Sequence, residues 1–328
     1  MIWDYRSPWW LPGGNLQTIY AAKLARRYVG KKPTWQRERW DTPDGDFVDV
    51  DWHCPRAENN DEETPLLVLF HGLEGSSASH YAQAFAQETL CRGWQMAIPH
   101  FRGCSGELNW APRAYHSGDF EEIDWLLRRF KAQHPNSPLF AVGISLGGNA
   151  LLRWAGEMGH AACQVADGVA SVCSPIDLAA SGHAIDSGFN KAVYARMFLA
   201  TMKPRAMQKL QQFPGLFDPQ ELLAANTLYA FDEVFTAPLH GFRGTDDYWD
   251  RASAKPGLSR VQVPALVLNA RNDPFVPSSC LPTSDQVSEQ VTLWQPNTGG
   301  HVGFASGAFP ADLQEMPWAV LEWMSQHG

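Results

Sequence analysis

The sequence of 328 residues is 45% hydrophobic and 12% aromatic, enough apolar material for one large core or for a core with an inserted cap. The formal net charge of −9 argues against nucleic acid as a partner, because phosphate binding requires a basic surface. The six cysteines form no CxxC pair and no zinc-ligand spacing, so we expect reduced thiols and neither a metal nor a cofactor.

The N-terminus lacks the basic and apolar regions of a secretory signal, and no apolar stretch approaches the roughly 18 residues that span a bilayer. We therefore expect a soluble, cytoplasmic protein without a transmembrane segment. Trp9 and Trp10 lie beside prolines and are candidates for one rim of a substrate pocket or for peripheral contact with a membrane. The sequence leaves the oligomeric state open.

Short apolar runs alternate with helical patterns, which is typical of a mostly parallel sheet with helices on both faces. Residues 47–52 alternate apolar and polar side chains after the turn signal Asp44-Gly45, and predict an antiparallel edge strand. The other predicted strands are residues 66–70, 95–99, 139–142, 169–173, 264–269 and 291–295, and the predicted helices are residues 80–91, 120–130, 146–158 and 318–326.

Between residues 175 and 256 the alternation of strands and helices stops. This stretch shows only helical patterns rich in Met, Phe, Leu and Tyr. We interpret it as a helical cap, residues 175–256, inserted into a core of residues 1–174 and 257–328. Such insertions cover the carboxyl ends of the strands, where ligands bind.

Ser145 lies in the segment GISLG, which matches the pattern G-x-S-x-G between a predicted strand and a predicted helix. A serine on such a sharp turn is held in a strained backbone conformation that exposes its hydroxyl. An ordinary glycine-rich turn is the alternative reading of the motif alone. The strand–turn–helix context favours a catalytic nucleophile.

A serine hydroxyl is a weak nucleophile and needs a base that is itself oriented by an acid. Asp273 follows the predicted strand 264–269, and His301 follows the next strand within a glycine-rich loop. This is the chain order serine, acid, histidine that α/β hydrolases use. Competing acids upstream of this strand are Asp246, Asp247 and Asp250, which follow no predicted strand.

The oxyanion of an acyl-transfer intermediate requires preorganised N–H donors. We expect one donor to be the amide of Leu146, the residue after the serine. The other should come from the loop after strand 66–70, with the amide of Leu73 as first choice and that of Glu74 as the alternative. His71, in the same loop, is expected to support it by hydrogen bonding without taking part in the chemistry.

Seven motifs are similar to those of the YheT-like esterases of bacteria, relatives of the α/β-hydrolase domain-containing lipases and esterases of eukaryotes. The motifs are residues 12–18 (PGGNLQT), 71–75 (HGLEG), 101–106 (FRGCSG), 115–119 (YHSGD), 143–149 (GISLGGN), 272–274 (NDP) and 299–304 (GGHVGF). The resemblance covers nearly the whole chain. It implies the α/β-hydrolase fold, Ser145, Asp273 and His301 as charge-relay residues, and hydrolysis of carboxylic esters.

The sequence therefore predicts a serine hydrolase that cleaves small-molecule or lipid esters through an acyl-enzyme. Two alternatives stay open. One is a lipase or acyltransferase acting on lipid esters, and the other is a hydrolase-fold protein that binds a lipid or a partner without catalysis.

Overall fold

The structure is a computed structural model that describes residues 3–53 and 63–327. Its centre is an eight-stranded sheet with the order β1-β2-β4-β3-β5-β6-β7-β8. The strands are β1 (Gln36–Asp41), β2 (Phe47–His53), β3 (Leu66–Phe70), β4 (Gln95–Pro99), β5 (Leu139–Ile144), β6 (Gly168–Val172), β7 (Ala265–Leu268) and β8 (Val291–Trp294). Strand β2 pairs antiparallel with β1 and β4, and the remaining neighbours pair parallel. The expected mostly parallel sheet is confirmed.

The prediction that residues 47–52 form the edge of the sheet was wrong, because β1 lies outside β2. Strand β1 has no apolar alternation, and of its six residues only Trp40 is buried. It is joined to β2 by charge pairs across the strands, such as Arg39 with Asp49 at 2.8 Å. A strand that is held by ion pairs does not show the alternation of apolar and polar residues from which strands are predicted, so β1 could not be recognised in the sequence.

Twelve α-helical segments occur in the described residues. They are α1 (Gly14–Lys23), α2 (His80–Arg92), α3 (Phe120–Gln133), α4 (Leu146–Met158), α5 (Leu178–Ile185), α6 (Gly188–Asn190), α7 (Arg196–Gln212), α8 (Pro219–Ala224), α9 (Leu228–Phe231), α10 (Ala237–Leu239), α11 (Thr245–Ala252) and α12 (Glu315–Ser325). π-Helical turns at Lys191–Ala195 and Asp232–Thr236 continue α6 into α7 and α9 into α10.

Each face of the sheet carries its own buried cluster, because successive side chains of a strand point to opposite faces. Val68 of β3 packs with Ile123 of α3 and Leu151 of α4 on one face. Leu69, the next residue, packs on the other face with Phe85 of α2. Helices on both faces are therefore confirmed.

Helices α5 to α11 lie between β6 and β7, and residues 175–256 contain no strand. We refer to this segment as the helical insertion. Cys54 lies outside the described residues, and the five other cysteines are free thiols. None of the helices described is long and apolar enough to cross a membrane.

Candidate active site

Ser145 occupies the turn between β5 and α4 with φ 53° and ψ −120°. A residue with a side chain is strained in this left-handed region. The glycines on either side of Ser145 pack so closely against other backbone that neither could carry a Cβ, and this packing holds the turn. A Cβ on Gly147 would lie 2.5 Å from the carbonyl oxygens of Phe70 and His71. Gly147 thus lets α4 pack directly against the end of β3.

Asp273 and His301 lie in the loops that follow β7 and β8, as their positions in the sequence predict. The Nε2 atom of His301 lies 2.9 Å from the Ser145 hydroxyl oxygen, and its Nδ1 atom lies 2.9 Å from Oδ2 of Asp273. The other carboxylate oxygen of Asp273 accepts hydrogen bonds from the amides of Phe275 and Val276. Both oxygens of the acid are therefore fixed, and the imidazole links the carboxylate to the serine.

Helix α1 supports both loops, a role that the sequence did not reveal. The Gln17 side-chain oxygen accepts hydrogen bonds from the Asn272 side chain and the Gly299 amide, both at 2.9 Å. The Thr18 hydroxyl accepts one from the His301 amide at 2.8 Å. Gln17 and Thr18 belong to the motif PGGNLQT, which forms the start of α1 and buries these two polar side chains. The motif was the signal in the sequence, but its role in supporting the two loops was not predicted.

The two amides expected to stabilise an oxyanion both belong to residues that line one cavity with Ser145. Leu146 is the first residue of α4, where an amide has no acceptor within the helix. The Leu73 amide makes no hydrogen bond to another group of the described chain. The Glu74 amide, the alternative, already donates to the Tyr115 hydroxyl at 3.0 Å. Among the described residues, the Leu73 amide is therefore available to donate a hydrogen bond, whereas the Glu74 amide is engaged.

Hydrogen bonds from several elements hold the loop of Leu73 in place. The imidazole of His71 accepts a hydrogen bond from the Phe101 amide and lies 2.8 Å from the Gly72 carbonyl oxygen. Burial lowers the pKa of His71 to about 3, so the ring is neutral. Arg205 of the helical insertion contacts the same loop through an ion pair with Glu74 at 2.9 Å. His71 thus supports the loop, as the sequence suggested.

A largely apolar cavity of about 140 Å³, partly open to solvent, lies between the sheet and the helical insertion. Ser145 lies in its wall. The insertion contributes apolar side chains from several helices to the lining, and these include Ile185, Phe198, Met202, Leu228, Phe231 and Phe235.

Other residues considered from the sequence lie elsewhere. Trp9 is 92% exposed, and Trp10 packs edge-on against Tyr20 at 5.0 Å. Neither lines the cavity at Ser145, so the expectation that they form its rim was wrong. The competing acids Asp246, Asp247 and Asp250 line a separate cavity. Within residues 3–53 and 63–327, no group of three His, Cys, Asp or Glu side chains is placed to hold a metal ion.

A mostly parallel sheet with a serine on a strained turn after its fifth strand defines a protein of the α/β-hydrolase class. The chain belongs to the alpha/beta hydrolase fold family, whose model matches residues 65–308.

Three known proteins are similar to this chain, two of them in sequence and one in fold. The chain is 36% identical over 315 residues to the Escherichia coli (strain K12) protein named "Putative esterase YheT", covering 95% of this chain and 90% of the relative. It is 27% identical to human "Phospholipase ABHD3" over 93% of this chain and 76% of that protein. The structure of a Pyrococcus furiosus esterase superposes with a TM-score of 0.54 at 17% identity, covering 93% and 98% of the two chains, and shows the shared fold.

Proposed function

We propose that this protein is a serine hydrolase that cleaves carboxylic esters, with Ser145 as nucleophile, His301 as general base and Asp273 as the orienting acid. The observation that carries the proposal is the continuous hydrogen-bond chain from Asp273 through His301 to the Ser145 hydroxyl, with 2.9 Å at each step. The strained turn at Ser145 supports it, because that conformation presents the hydroxyl to the cavity.

In the proposed reaction, His301 accepts the hydroxyl proton while Oγ of Ser145 attacks the ester carbonyl. Asp273 stabilises the imidazolium that forms. The amides of Leu73 and Leu146 donate hydrogen bonds to the oxyanion of the tetrahedral intermediate. His301 then protonates the leaving alcohol, and water, activated by the same imidazole, releases the acid from the acyl-enzyme.

The apolar cavity favours a lipid or medium-chain ester as the substrate. Cavities lined by aliphatic and aromatic side chains bind apolar chains by removing them from water. The relative named a phospholipase agrees with this class of substrate. We further propose that residues 175–256 form a cap domain that shapes this cavity over a core of residues 1–174 and 257–328.

The proposal is tested with Ser145→Ala. The variant should lose hydrolysis of p-nitrophenyl esters by about 10⁴-fold or more and should no longer react with a fluorophosphonate probe. Ser259→Ala, at an exposed serine outside the cavity, is the matched control and should retain both properties. Substantial turnover by the Ser145 variant, with circular dichroism like that of the wild type, would contradict the proposal.

A further inference from the structure

Besides Arg205, Lys209 and Tyr248, four polar side chains interrupt the apolar wall of the cavity on the side of the helical insertion. Ser181, Asp232, Thr236 and Trp249 all line the same cavity as Ser145. The Thr236 hydroxyl donates a hydrogen bond to Oδ1 of Asp232 at 2.6 Å, and the Trp249 indole N–H donates one to Oδ2 at 2.9 Å. We call these four residues the insertion subsite.

Asp232 is a carboxylate without a cationic partner. Both of its hydrogen-bond donors are neutral, and no ion pair to it forms among the described residues. Burial raises the pKa of Asp232 to about 6, the two hydrogen bonds lower it, and the nearby carboxylate of Asp186 raises it. The group therefore remains mostly ionised at neutral pH. Arg102, Arg205 and Lys209 also line the cavity, but they pair with Glu122, Glu74 and the Asn109 carbonyl oxygen. The half-buried carboxylate of Asp232 is therefore left to stabilise a cation that reaches it through the cavity.

Ser181 adds a second unused polar group. Its side chain is 1% exposed, and its hydroxyl makes no hydrogen bond to any described residue. The next residue, Gly182, is packed against the Trp249 ring, where an added Cβ would lie 2.3 Å from a ring atom. This close packing fixes the Trp249 indole next to Ser181.

We propose that the insertion subsite binds a protonated amine carried by the ester substrate. A carboxylate oxygen and a free hydroxyl oxygen are acceptors that match the N–H donors of an ammonium group. A quaternary ammonium has no N–H to donate. The apolar wall between Ser145 and this subsite fits an alkyl chain with the amine at its end.

This inference rests on the proposed ester hydrolysis and deepens it by naming a substrate class. The test compares ω-aminoalkyl butyrates with n-alkyl butyrates of equal heavy-atom count, over a series of chain lengths. Wild-type protein should show a kcat/KM for the best aminoalkyl ester about tenfold or more above that for its neutral counterpart, because a hydrogen bond to a charged group is strong. Asp232→Asn should remove this preference, so that the ratio of the two kcat/KM values falls to about one.

Asp250→Asn is the matched control, because it removes an exposed carboxylate from the same insertion at a position outside the cavity. It should keep the wild-type preference. Equal preference in the wild type and in Asp232→Asn, with neutral esters still cleaved, would overturn the subsite and leave the proposed function intact. A greater preference for the matching trimethylammonioalkyl ester would overturn the assignment to an amine with N–H donors.

Binding is measured separately from turnover in a Ser145→Ala background. Calorimetry should give a dissociation constant for the aminoalkyl ester about tenfold or more below that for its neutral counterpart, and Asp232→Asn in the same background should make the two equal. If wild-type protein cleaves no ester but this difference in binding persists, the proposed function fails and the subsite stands. If binding is equal for both esters, the subsite is wrong whatever the outcome for hydrolysis.

Discussion

His71 is a fully buried imidazole that stays neutral to fix the loop of Leu73. Its Nε2 atom accepts a hydrogen bond from the Phe101 amide, and its Nδ1 atom lies 2.8 Å from the Gly72 carbonyl oxygen. Burial is the main cause of its low pKa, and the nearby charge of His100 lowers the pKa further. Burial also lowers the pKa of His80 to about 4. Both rings therefore resist protonation while the protein is folded.

This resistance predicts a loss of stability in mild acid. Below about pH 6.5 the unfolded chain protonates both imidazoles whereas the folded chain does not, so the unfolding free energy falls as the pH falls toward the folded pKa values. His71→Gln keeps a donor and an acceptor but cannot titrate. Between neutral pH and about pH 4.5, urea unfolding should show that the variant loses about 2–3 kcal/mol less than the wild type. Equal losses would mean that His71 takes up a proton in the folded protein.

The residues of the candidate site were predictable because each follows a strand. Ser145, Asp273 and His301 stand after β5, β7 and β8, and the carboxyl ends of parallel strands meet at one edge of the sheet. Asp232 and Ser181 were not predictable. They come together through the packing of several short helices, and such packing leaves no fixed spacing in the sequence.

At the scale of elements, the sequence predicted the buried parallel strands and missed α1 and β1. Buried strands show as continuous apolar runs, whereas β1 is mostly charged and α1 begins with Gly14 and buries polar residues. Gly14 is required where it lies, because a Cβ there would be 1.8 Å from the carbonyl oxygen of Asn272. The composition of α1 thus reflects its contacts with the loops of the site rather than helix propensity.

The contacts of α1 predict an effect of Gln17→Leu on catalysis. The variant keeps a side chain of similar size but removes the acceptor for the Asn272 side chain and the Gly299 amide. The loops of Asp273 and His301 then lose a shared anchor, and small displacements of catalytic groups are costly. We expect kcat to fall by about 10- to 100-fold with little change in KM.

The control is Gln133→Leu, which makes the same change at the exposed end of α3 and should leave both constants unaltered. Steady-state kinetics on one p-nitrophenyl ester measures both variants. A rise in KM at constant kcat for Gln17→Leu would show that α1 acts on substrate binding instead of on the alignment of the site.

At the scale of the whole molecule, the helical insertion and the sheet share one cavity and are joined beside it. Arg205 of α7 forms an ion pair with Glu74, next to the Leu73 amide. On the same helix, Phe198 packs against Phe275, and the Phe275 ring lies 4.3 Å from that of His301. The insertion therefore contacts the proposed oxyanion loop directly, and it reaches the proposed base through Phe275 of the core, while it forms the apolar wall.

This arrangement predicts that α7 sorts substrates by chain length. Met202 lines the cavity, and Met202→Ala removes apolar contacts that only the longer acyl chains reach. Each methylene transferred from water into an apolar site contributes about 0.8 kcal/mol, so kcat/KM should fall by about 10-fold or more for long esters and little for the shortest. Met197→Ala makes the same substitution on the same helix at a side chain that is 45% exposed, and it should leave the whole series unchanged. The measurement is kcat/KM across p-nitrophenyl esters of increasing acyl length for the three proteins. Parallel losses at every length in Met202→Ala would mean that α7 stabilises the fold and that specificity is set elsewhere.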